Sequence, residues 1–365
     1  MKKLLLEDCC EILDSMRIPI TASERKSGSY PYYGANGIQD YVADYIFDDE
    51  LVLLAEDGGN FGSKTKPIAY RVSGKCWVNN HAHVLKPKKD FNVDYLCYSL
   101  MFYNTDGLVN GATRQKLTQA TMRQMLIPQR AYQEQCDIVA QMNKVNLIIK
   151  TRQNQLQKLD ELVKARFVEL FGDPLTNPKG YQEKYLSEIA EYWNGLTYKP
   201  DDVANEGTIV LRSSNIQNAS LDFADTVRVN CKIGTKKYVQ DNDILMCSRN
   251  GSAKLVGKVA LIKELSEPMS FGAFMMIIRS AYYPFLMTYF QLPAFRSQIT
   301  TGATTTINQI TGRMLDNVKL AIPDIESAKD FSAFTNQVDK SKVAVQKSLN
   351  EAQLLFDSLM QQYFG

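Results

Sequence analysis

The sequence has few of the residues on which metal and disulfide chemistry depend. It contains two histidines, His81 and His83, and its seven cysteines are scattered, with no Cys-x-x-Cys pair. A zinc site needs a cluster of His or Cys ligands, so no metal site is predicted, and the two histidines are assigned a structural role. An odd number of dispersed cysteines indicates reduced thiols, and we expect a cytoplasmic protein.

Long apolar runs and an excess of either charge are also missing. Glu7 and Asp8 interrupt the apolar start of the chain before a signal sequence forms. The longest apolar stretch, 281–295, contains two prolines and is shorter than the roughly 20 apolar residues of a membrane-spanning helix. The 42 basic and 40 acidic residues nearly balance, which excludes polyanion binding through bulk charge and leaves local basic patches.

Motifs for nucleotide binding and for base methylation are incomplete. In 251–259 the second glycine of a phosphate loop comes late, and Val259 stands where a Ser or Thr would bind magnesium. The glycines of 58–62 lack the spacing of a dinucleotide loop. The segment NPKG at 177–180 is not the Asn-Pro-Pro-Tyr-like loop needed to methylate a base amino group. We therefore predict a chain without a catalytic centre or a cofactor of its own.

An internal repeat organises the chain, whose 365 residues suffice for two or three domains. A shift of 193 residues superimposes two helical segments, with Ile138 on Phe331, Val145 on Val338, Leu156 on Leu349, and Phe171-Gly172 on Phe364-Gly365. Upstream of each, Ile127-Pro128 resembles Ile322-Pro323. The predicted order is a module at 1–128, a helical spacer at 129–175, a module at 176–323 and a spacer at 324–365.

Both helical segments carry apolar residues at alternating steps of three and four, which is the pattern of a coiled-coil seam. The predicted seam residues are Ile138, Met142, Val145, Ile149, Leu156, Leu159, Val163 and Leu170, followed by Phe331, Val338, Val345, Leu349, Phe356 and Leu359. Two matched stretches favour packing of the helices on each other. The alternative is that each helix lies separately on its own module.

Two arginines on the predicted seam and four apolar residues off it depart from the heptad pattern, and each group leads to a further prediction. Arg152 and Arg166 fall on the seam, where they are expected to set the register or face a partner. Four apolar residues off the seam are candidates for an exposed patch; they are Leu147, Ile148, Leu162 and Phe167. Burial of these four against the modules is the alternative.

The modules alternate short apolar runs with clusters of Gly, Asn, Asp and Ser, which predicts strands joined by turns. The runs include 51–54, 209–211, 243–246 and 259–262, whereas 95–103 and 285–298 are typical of helices. The predicted class is α+β. Two mixed globular domains are separated by two long helices that are predicted to pack on each other.

Several motifs, in this order, resemble the specificity subunits of type I restriction-modification enzymes. They are YPYYGANGI at 30–38, LFGDP at 170–174, NPKG at 177–180, LRSSNI at 211–216, DIL at 243–245 and SRNGS at 248–252. The resemblance covers nearly the whole chain. It implies a non-catalytic subunit with two target-recognition domains that read a two-part sequence in double-stranded DNA.

The resemblance also implies partners. Two methyltransferase subunits would bind the helices and carry S-adenosylmethionine, and a translocating nuclease subunit could join them. Because duplex DNA has local two-fold axes, two similar modules reading one site should be related by such an axis. This arrangement makes the two long helices an antiparallel coiled coil with pseudo-two-fold symmetry. As a hypothesis, the helices then act as a ruler between the half-sites, and insertions near Thr151 should change the unread gap in the methylated sites.

Polar and basic loops are the candidates for contacts with bases and phosphates. In the first module we predict Asn60, Ser63, Lys64, Lys66, Asn79, Asn80, Thr113, Arg114, Gln115 and Lys116. In the second we predict Arg212, Ser213, Asn215, Arg249, Asn250, Ser252, Lys254, Thr304, Thr305, Thr306, Asn308 and Gln309. The alternative function is a stand-alone DNA-binding coiled-coil protein, and an enzyme with its own site is disfavoured by the incomplete motifs.

Overall fold

The structure is a computed structural model that describes residues 2–111, 115–299 and 308–365. The chain divides into two compact units, Met1–Gln153 with Gln346–Gly365, and Asn154–Val345. Each unit therefore contains one module and a part of both long helices. This division differs from the linear order of modules and spacers along the sequence.

The first unit contains ten of the described strands, most of them antiparallel. The strands are β1 Lys3–Leu5, β2 Cys10–Ile12, β3 Ser27–Gly34, β4 Gly37–Val42, β5 Phe47–Ala55, β6 Ala69–Val78, β7 Ala82–Pro87, β8 Val109–Asn110, β9 Lys116–Leu117 and β10 Leu126–Pro128. Three short helices accompany them, α1 Leu6–Cys9, α2 Val93–Met101 and α3 Gln119–Arg123. The main sheet has the order β2-β7-β5-β6-β3-β4, and within it β3 and β6 are parallel.

The apolar run in β5 is buried on both faces of this sheet. Successive side chains of a strand point to opposite faces, so Leu51 and Leu53 pack in one core cluster and Val52 and Leu54 in another. The second cluster includes α2 and the two long helices. A continuous apolar run, rather than an alternating one, is therefore what this strand requires.

The second unit is built from shorter strands. They are β11 Gln182–Tyr185, β12 Glu191–Asn194, β13 Val203–Ala204, β14 Thr208–Leu211, β15 Ile216–Gln217, β16 Ser220–Leu221, β17 Arg228–Val229, β18 Ile244–Cys247, β19 Val259–Leu261, β20 Met269–Phe271, β21 Met275–Arg279 and β22 Lys319–Ile322. Its short helices are α5 Leu186–Ile189, α6 Tyr283–Tyr289, α7 Pro293–Ile299 and α8 Gly312–Asp316. Two four-stranded sheets, β12-β21-β18-β19 and β13-β17-β14-β20, form its centre. The single helix predicted at 285–298 is two helices, because Pro293 starts a new one.

The two units share one arrangement at their edges. In the first, β1 pairs antiparallel with β10, and in the second β11 pairs antiparallel with β22. A four-residue helix, α1 or α5, follows the first strand of each pair. The sequence repeat therefore corresponds to the same strand pair in both units, whereas the sheets between these ends differ.

The two long helices are α4 Tyr132–Phe171 and α9 Ile325–Phe364, and their extents agree with the predicted helical segments. Gly172, at φ +72°, adopts the left-handed conformation that ends α4, and its N–H donates to the carbonyl oxygen of Val168 at 2.8 Å. None of the described helices is both long and apolar enough to cross a membrane.

The long helices pack on each other in antiparallel directions within each unit. In the first unit, Tyr363 donates to Gln141 at 2.9 Å and Arg152 donates to Ser348 at 3.1 Å. In the second unit Lys342 pairs with Asp160, and the ring centroids of Phe167 and Phe331 are 5.7 Å apart. The prediction that the helices pack on each other is confirmed. Arg166, the second arginine of the predicted seam, forms an ion pair with Glu169 of its own helix.

The predicted seam residues are buried or half-buried. Buried are Ile138, Met142, Val145, Ile149, Phe331, Val338 and Phe356, and half-buried are Leu156, Leu159, Val163, Leu170, Val345, Leu349 and Leu359. The seam is covered by the partner helix and also by the modules, because Ile138 and Phe356 share a core cluster with Tyr95 of α2.

One prediction off the seam is wrong. Phe167 is fully buried, and its ring centroid lies 5.1 Å from Phe171 and 4.9 Å from Phe285. Burial against the module, the alternative, therefore applies to this residue. Leu147, Ile148 and Leu162 are exposed as predicted, at 66%, 44% and 47%.

Candidate nucleic-acid interface

The loop after β5 is shaped by hydrogen bonds of polar side chains, one of them to the turn between β3 and β4. Asn60 donates from Nδ2 to Oδ1 of Asn36 at 3.1 Å, and Ser63 Oγ accepts from the backbone N of Lys66 at 2.9 Å. Lys64 and Lys66 are exposed, and no carboxylate of the described residues pairs with either of them. The loop thus presents two ammonium groups to solvent, where they could contact phosphates.

Two neighbouring asparagines at the turn between β6 and β7 differ in exposure. Asn79 is 3% exposed; its Nδ2 donates to Gln39 Oε1 at 2.9 Å and its Oδ1 accepts from the backbone N of His81 at 2.8 Å. Its amide is thus used in two internal bonds, and its contact with DNA stays a prediction. Asn80 is exposed at the same turn.

The predicted contacts around β9 are described in part. Lys116 Nζ lies 3.0 Å from Oε1 of Glu56, and its side chain is 50% exposed. Gln115 is exposed. Thr113 and Arg114 lie outside the described residues.

A buried charged cluster, which the sequence analysis did not identify as a cluster, lies beside β9. The Nδ1 atom of His83 is 2.6 Å from Asp14 Oδ2, and its Nε2 atom is 2.9 Å from the carbonyl oxygen of Leu117. Among the described residues, Asp14, Glu56 and His83 form the group whose ligand atoms are close enough for a metal ion. Arg17, however, donates to Glu56 at 2.7 Å. We interpret the cluster as an ion-pair network that fixes β9 to the sheet.

Opposing effects set the protonation of the two carboxylates in this cluster. Burial alone would raise the pKa of Asp14, but hydrogen bonds from His83 and from the backbone of Val84 outweigh burial and hold it below its usual value. The pKa of Glu56 is lowered in the same way, because hydrogen bonds from Arg17 and a lysine outweigh its burial. Both side chains are therefore anions at neutral pH.

The turn after β14 is fixed from inside by Asn215, which is fully buried. Its Oδ1 accepts from the backbone N of Arg212 at 2.8 Å, and its Nδ2 donates to the carbonyl oxygens of Asp222 at 2.9 Å and Asp225 at 2.8 Å. The amide of Asn215 thus makes its hydrogen bonds within the turn, and its contact with DNA stays a prediction. The Arg212 side chain is available in part, and it donates from Nη2 to Asp225 Oδ2 at 2.8 Å.

The segment after β18 is held by three neighbouring parts of the unit. The backbone N of Arg249 donates to the carbonyl oxygen of Phe274 at 3.1 Å, and Arg249 forms an antiparallel bridge with Gln309. Asn250 donates from Nδ2 to Ser213 Oγ at 3.2 Å. These bonds bring together residues from three segments that the sequence analysis selected separately.

The other predicted contacts of the second unit lie near this segment or are not described. Ser252 and Lys254 are exposed, and Asn308 donates from Nδ2 to the carbonyl oxygen of Gly251 at 3.2 Å. Thr304, Thr305 and Thr306 lie outside the described residues.

A cleft of about 1030 Å³ in the second unit collects several predicted residues. Those that line it are Arg212, Ser213, Arg249, Asn250 and Asn308. Tyr198, Asp225 and Phe274 also line it, and the sequence analysis missed them. The available signal for Phe274 was its place directly after Gly272-Ala273, a turn between two apolar strands. Guanidinium, amide and hydroxyl groups together suit contacts with base edges and phosphates.

The chain is similar in sequence to one protein family along most of its length. The family model described as type I restriction modification DNA specificity domain matches residues 1–160 and 178–353. A putative type I restriction enzyme specificity subunit of Haemophilus influenzae is 40% identical over 134 residues, which are 37% of this chain and 34% of that relative. The chain thus spans about a third of this relative. The EcoKI specificity subunit of Escherichia coli is 20% identical over 338 residues, 86% of this chain and 72% of that relative.

Two solved structures share the fold. The S subunit of a type I restriction-modification system from M. genitalium is 12% identical, with a TM-score of 0.60 over 100% of this chain and 96% of that one. A chain from a structural study of complex assembly and conformational transition in a type I R-M system is 14% identical, with a TM-score of 0.53 over 100% and 97%.

Proposed function

The chain belongs to the family of type I restriction-modification DNA specificity subunits, and we propose that it reads a DNA target in two parts, one with each unit. The observation that carries the proposal is the cleft of the second unit, where Arg212 from the turn after β14 meets Arg249 and Asn250 from the segment after β18. In the first unit Lys64, Lys66 and Asn80 are the exposed counterparts. The family match in each half of the chain supports one reading surface per unit.

We further propose that this chain is not catalytic and that partner subunits supply the chemistry. Two methyltransferase subunits would carry S-adenosylmethionine and methylate adenines in the selected site, and a translocase or nuclease subunit could join the complex. The incomplete methylation motif at 177–180 supports this division of roles.

Apolar residues exposed on the long helices are the proposed docking positions for the methyltransferases. In the first unit Leu147 and Ile148 of α4 are 66% and 44% exposed, and Leu354 and Leu355 of α9 are 69% and 49% exposed. A helix surface that stays apolar beyond its own seam is typical of a site that a partner covers.

Methylation mapping tests the reading function. Co-expression of the chain with a type I methyltransferase subunit from the same source should yield one bipartite motif of methylated adenines. Arg249→Ala should relax the motif in one part only, and Lys64→Ala with Lys66→Ala should weaken methylation of all sites alike, because phosphate contacts carry no sequence information. Methylation that does not depend on this chain would refute the proposal and favour the stand-alone alternative.

Co-purification tests the docking positions. Leu147→Glu and Leu354→Glu should reduce recovery of the methyltransferase, because a charge would replace an apolar contact that becomes buried. Gln153→Glu, which adds the same charge at another exposed position of α4, is the matched control. Equal recovery for all three variants would argue against this surface.

A further inference from the structure

Phe274 is an apolar side chain that the fold leaves in water. It is 58% exposed between β20 and β21, although both strands beside it are buried. An exposed aromatic ring gains little for folding. Its place in the cleft beside Arg249 therefore points to a role other than stability.

The ring faces the guanidinium group of Arg249, whose carbon Cζ lies 5.1 Å from the ring centroid. Stacking of this kind orients a planar guanidinium without using any of its N–H donors. The backbone of Arg249 is fixed to the carbonyl oxygen of Phe274 at 3.1 Å. Phe274 thus contacts both the backbone N–H and the guanidinium group of this arginine.

The second arginine of the cleft differs in this respect. Arg212 donates to the carboxylate of Asp225 at 2.8 Å, so at least one N–H group of its guanidinium is already hydrogen-bonded. No carboxylate or other acceptor among the described residues bonds to the guanidinium of Arg249. Arg249 is therefore oriented and still has its donors available.

We infer that Phe274 is a positioning residue that holds Arg249 to read a guanine in the part of the target recognised by the second unit. This inference rests on the proposed function. A guanidinium fork matches the O6 and N7 acceptors of guanine in the major groove. Because the same fork can also bind two oxygens of a phosphate, the test has to separate a base contact from a phosphate contact.

The test uses the complex of the full chain with its methyltransferase and a duplex that carries the mapped motif. Replacing each guanine in turn by 7-deazaguanine removes the N7 acceptor. At one guanine this should weaken binding by the wild-type complex about tenfold. The Arg249→Ala complex should bind the modified and unmodified duplexes equally.

Substitution of Phe274 separates positioning from general stability. Phe274→Leu should bind the unmodified target about two- to fivefold more weakly and should show a smaller 7-deazaguanine penalty. Phe274→Tyr, which keeps an aromatic face, should restore the wild-type penalty. Phe223→Leu is the matched control, because Phe223 is 45% exposed in the same unit and does not line the cleft.

Two results would overturn the inference while leaving the proposed function intact. One is an unchanged 7-deazaguanine penalty in Phe274→Leu. The other is that binding does not depend on N7 at any guanine, while Arg249→Ala reduces by about one the slope of the logarithm of the binding constant against the logarithm of the salt concentration. That result would make Arg249 a phosphate contact. A wild-type complex that binds the motif and random DNA equally would instead refute the proposed function.

Discussion

Single buried polar residues support the surfaces proposed to meet DNA. Asn215 shapes the turn that carries Arg212, and Asn79 shapes the turn that carries Asn80. The Asp14–His83 pair does the same for β9 through the carbonyl oxygen of Leu117. Residue type alone could not separate these asparagines from exposed ones, because an amide serves equally well inside a turn and on a base.

Asp14 makes the stability of the first unit dependent on pH. Its pKa is lower in the folded unit than in the unfolded chain, so its carboxylate stabilises the fold above the unfolded pKa, and this contribution is lost as the pH falls through the folded pKa. Asp14→Asn should lower the free energy of unfolding at pH 7 by about 3 kcal/mol. The difference from wild type should shrink below about pH 4.

The two tryptophans allow this measurement on one unit. Trp77 lies in the first unit and Trp193 in the second, so Trp193→Phe leaves Trp77 fluorescence as the reporter of urea unfolding. Asp90→Asn changes an exposed carboxylate and should have little effect. A difference between Asp14→Asn and wild type that stays constant from pH 7 to pH 3 would contradict the assignment.

At the scale of elements, the long helices were predictable and their surroundings were not. The heptad pattern gives the extent of α4, but it cannot distinguish Leu147, which is 66% exposed, from Phe167, which is fully buried. Both lie off the seam, and what separates them is that Phe167 packs against Phe285 of α6 and Phe331 of α9. Which helix face a module covers depends on tertiary contacts that the repeat does not encode.

The end of α4 depends on a glycine with left-handed backbone. At Gly172, φ is +72°, and a Cβ would lie 2.5 Å from Cγ of Pro178. Gly172→Ala should destabilise the second unit by about 1 to 2 kcal/mol or more, because backbone strain and a clash add together. Urea unfolding followed by Trp193 fluorescence, in a Trp77→Phe background, measures the loss.

Gly234→Ala is the matched control for this prediction. Gly234 lies in the same unit with φ −69°, and nothing lies within 4 Å of an added Cβ. It should be neutral or stabilising by about 0.4 to 1 kcal/mol. Equal losses for the two variants would show that the helix end does not need its glycine.

At the scale of the whole molecule, the first unit is assembled from two distant parts of the chain. Phe356 is 4% exposed and shares a core cluster with Tyr98 of α2, with their ring centroids 6.3 Å apart. Phe356→Ala should therefore destabilise the first unit by about 3 to 5 kcal/mol. Trp77 should report the change, and Trp193 should report a smaller one.

Leu355→Ala is the control, because Leu355 is the neighbouring residue and is 49% exposed. It should change the free energy of unfolding of the first unit by less than about 0.5 kcal/mol. If Phe356→Ala proved as mild as this control, 346–365 would not be an integral part of the first unit.

The discontinuous first unit has a consequence for synthesis on the ribosome. Residues 154–345, the whole second unit, are translated between the two parts that the first unit needs. Until 346–365 emerges, the nascent first unit keeps uncovered the apolar surface on which Phe356 later packs, and such surface attracts aggregation or chaperones. The unit that is begun first is thus completed second.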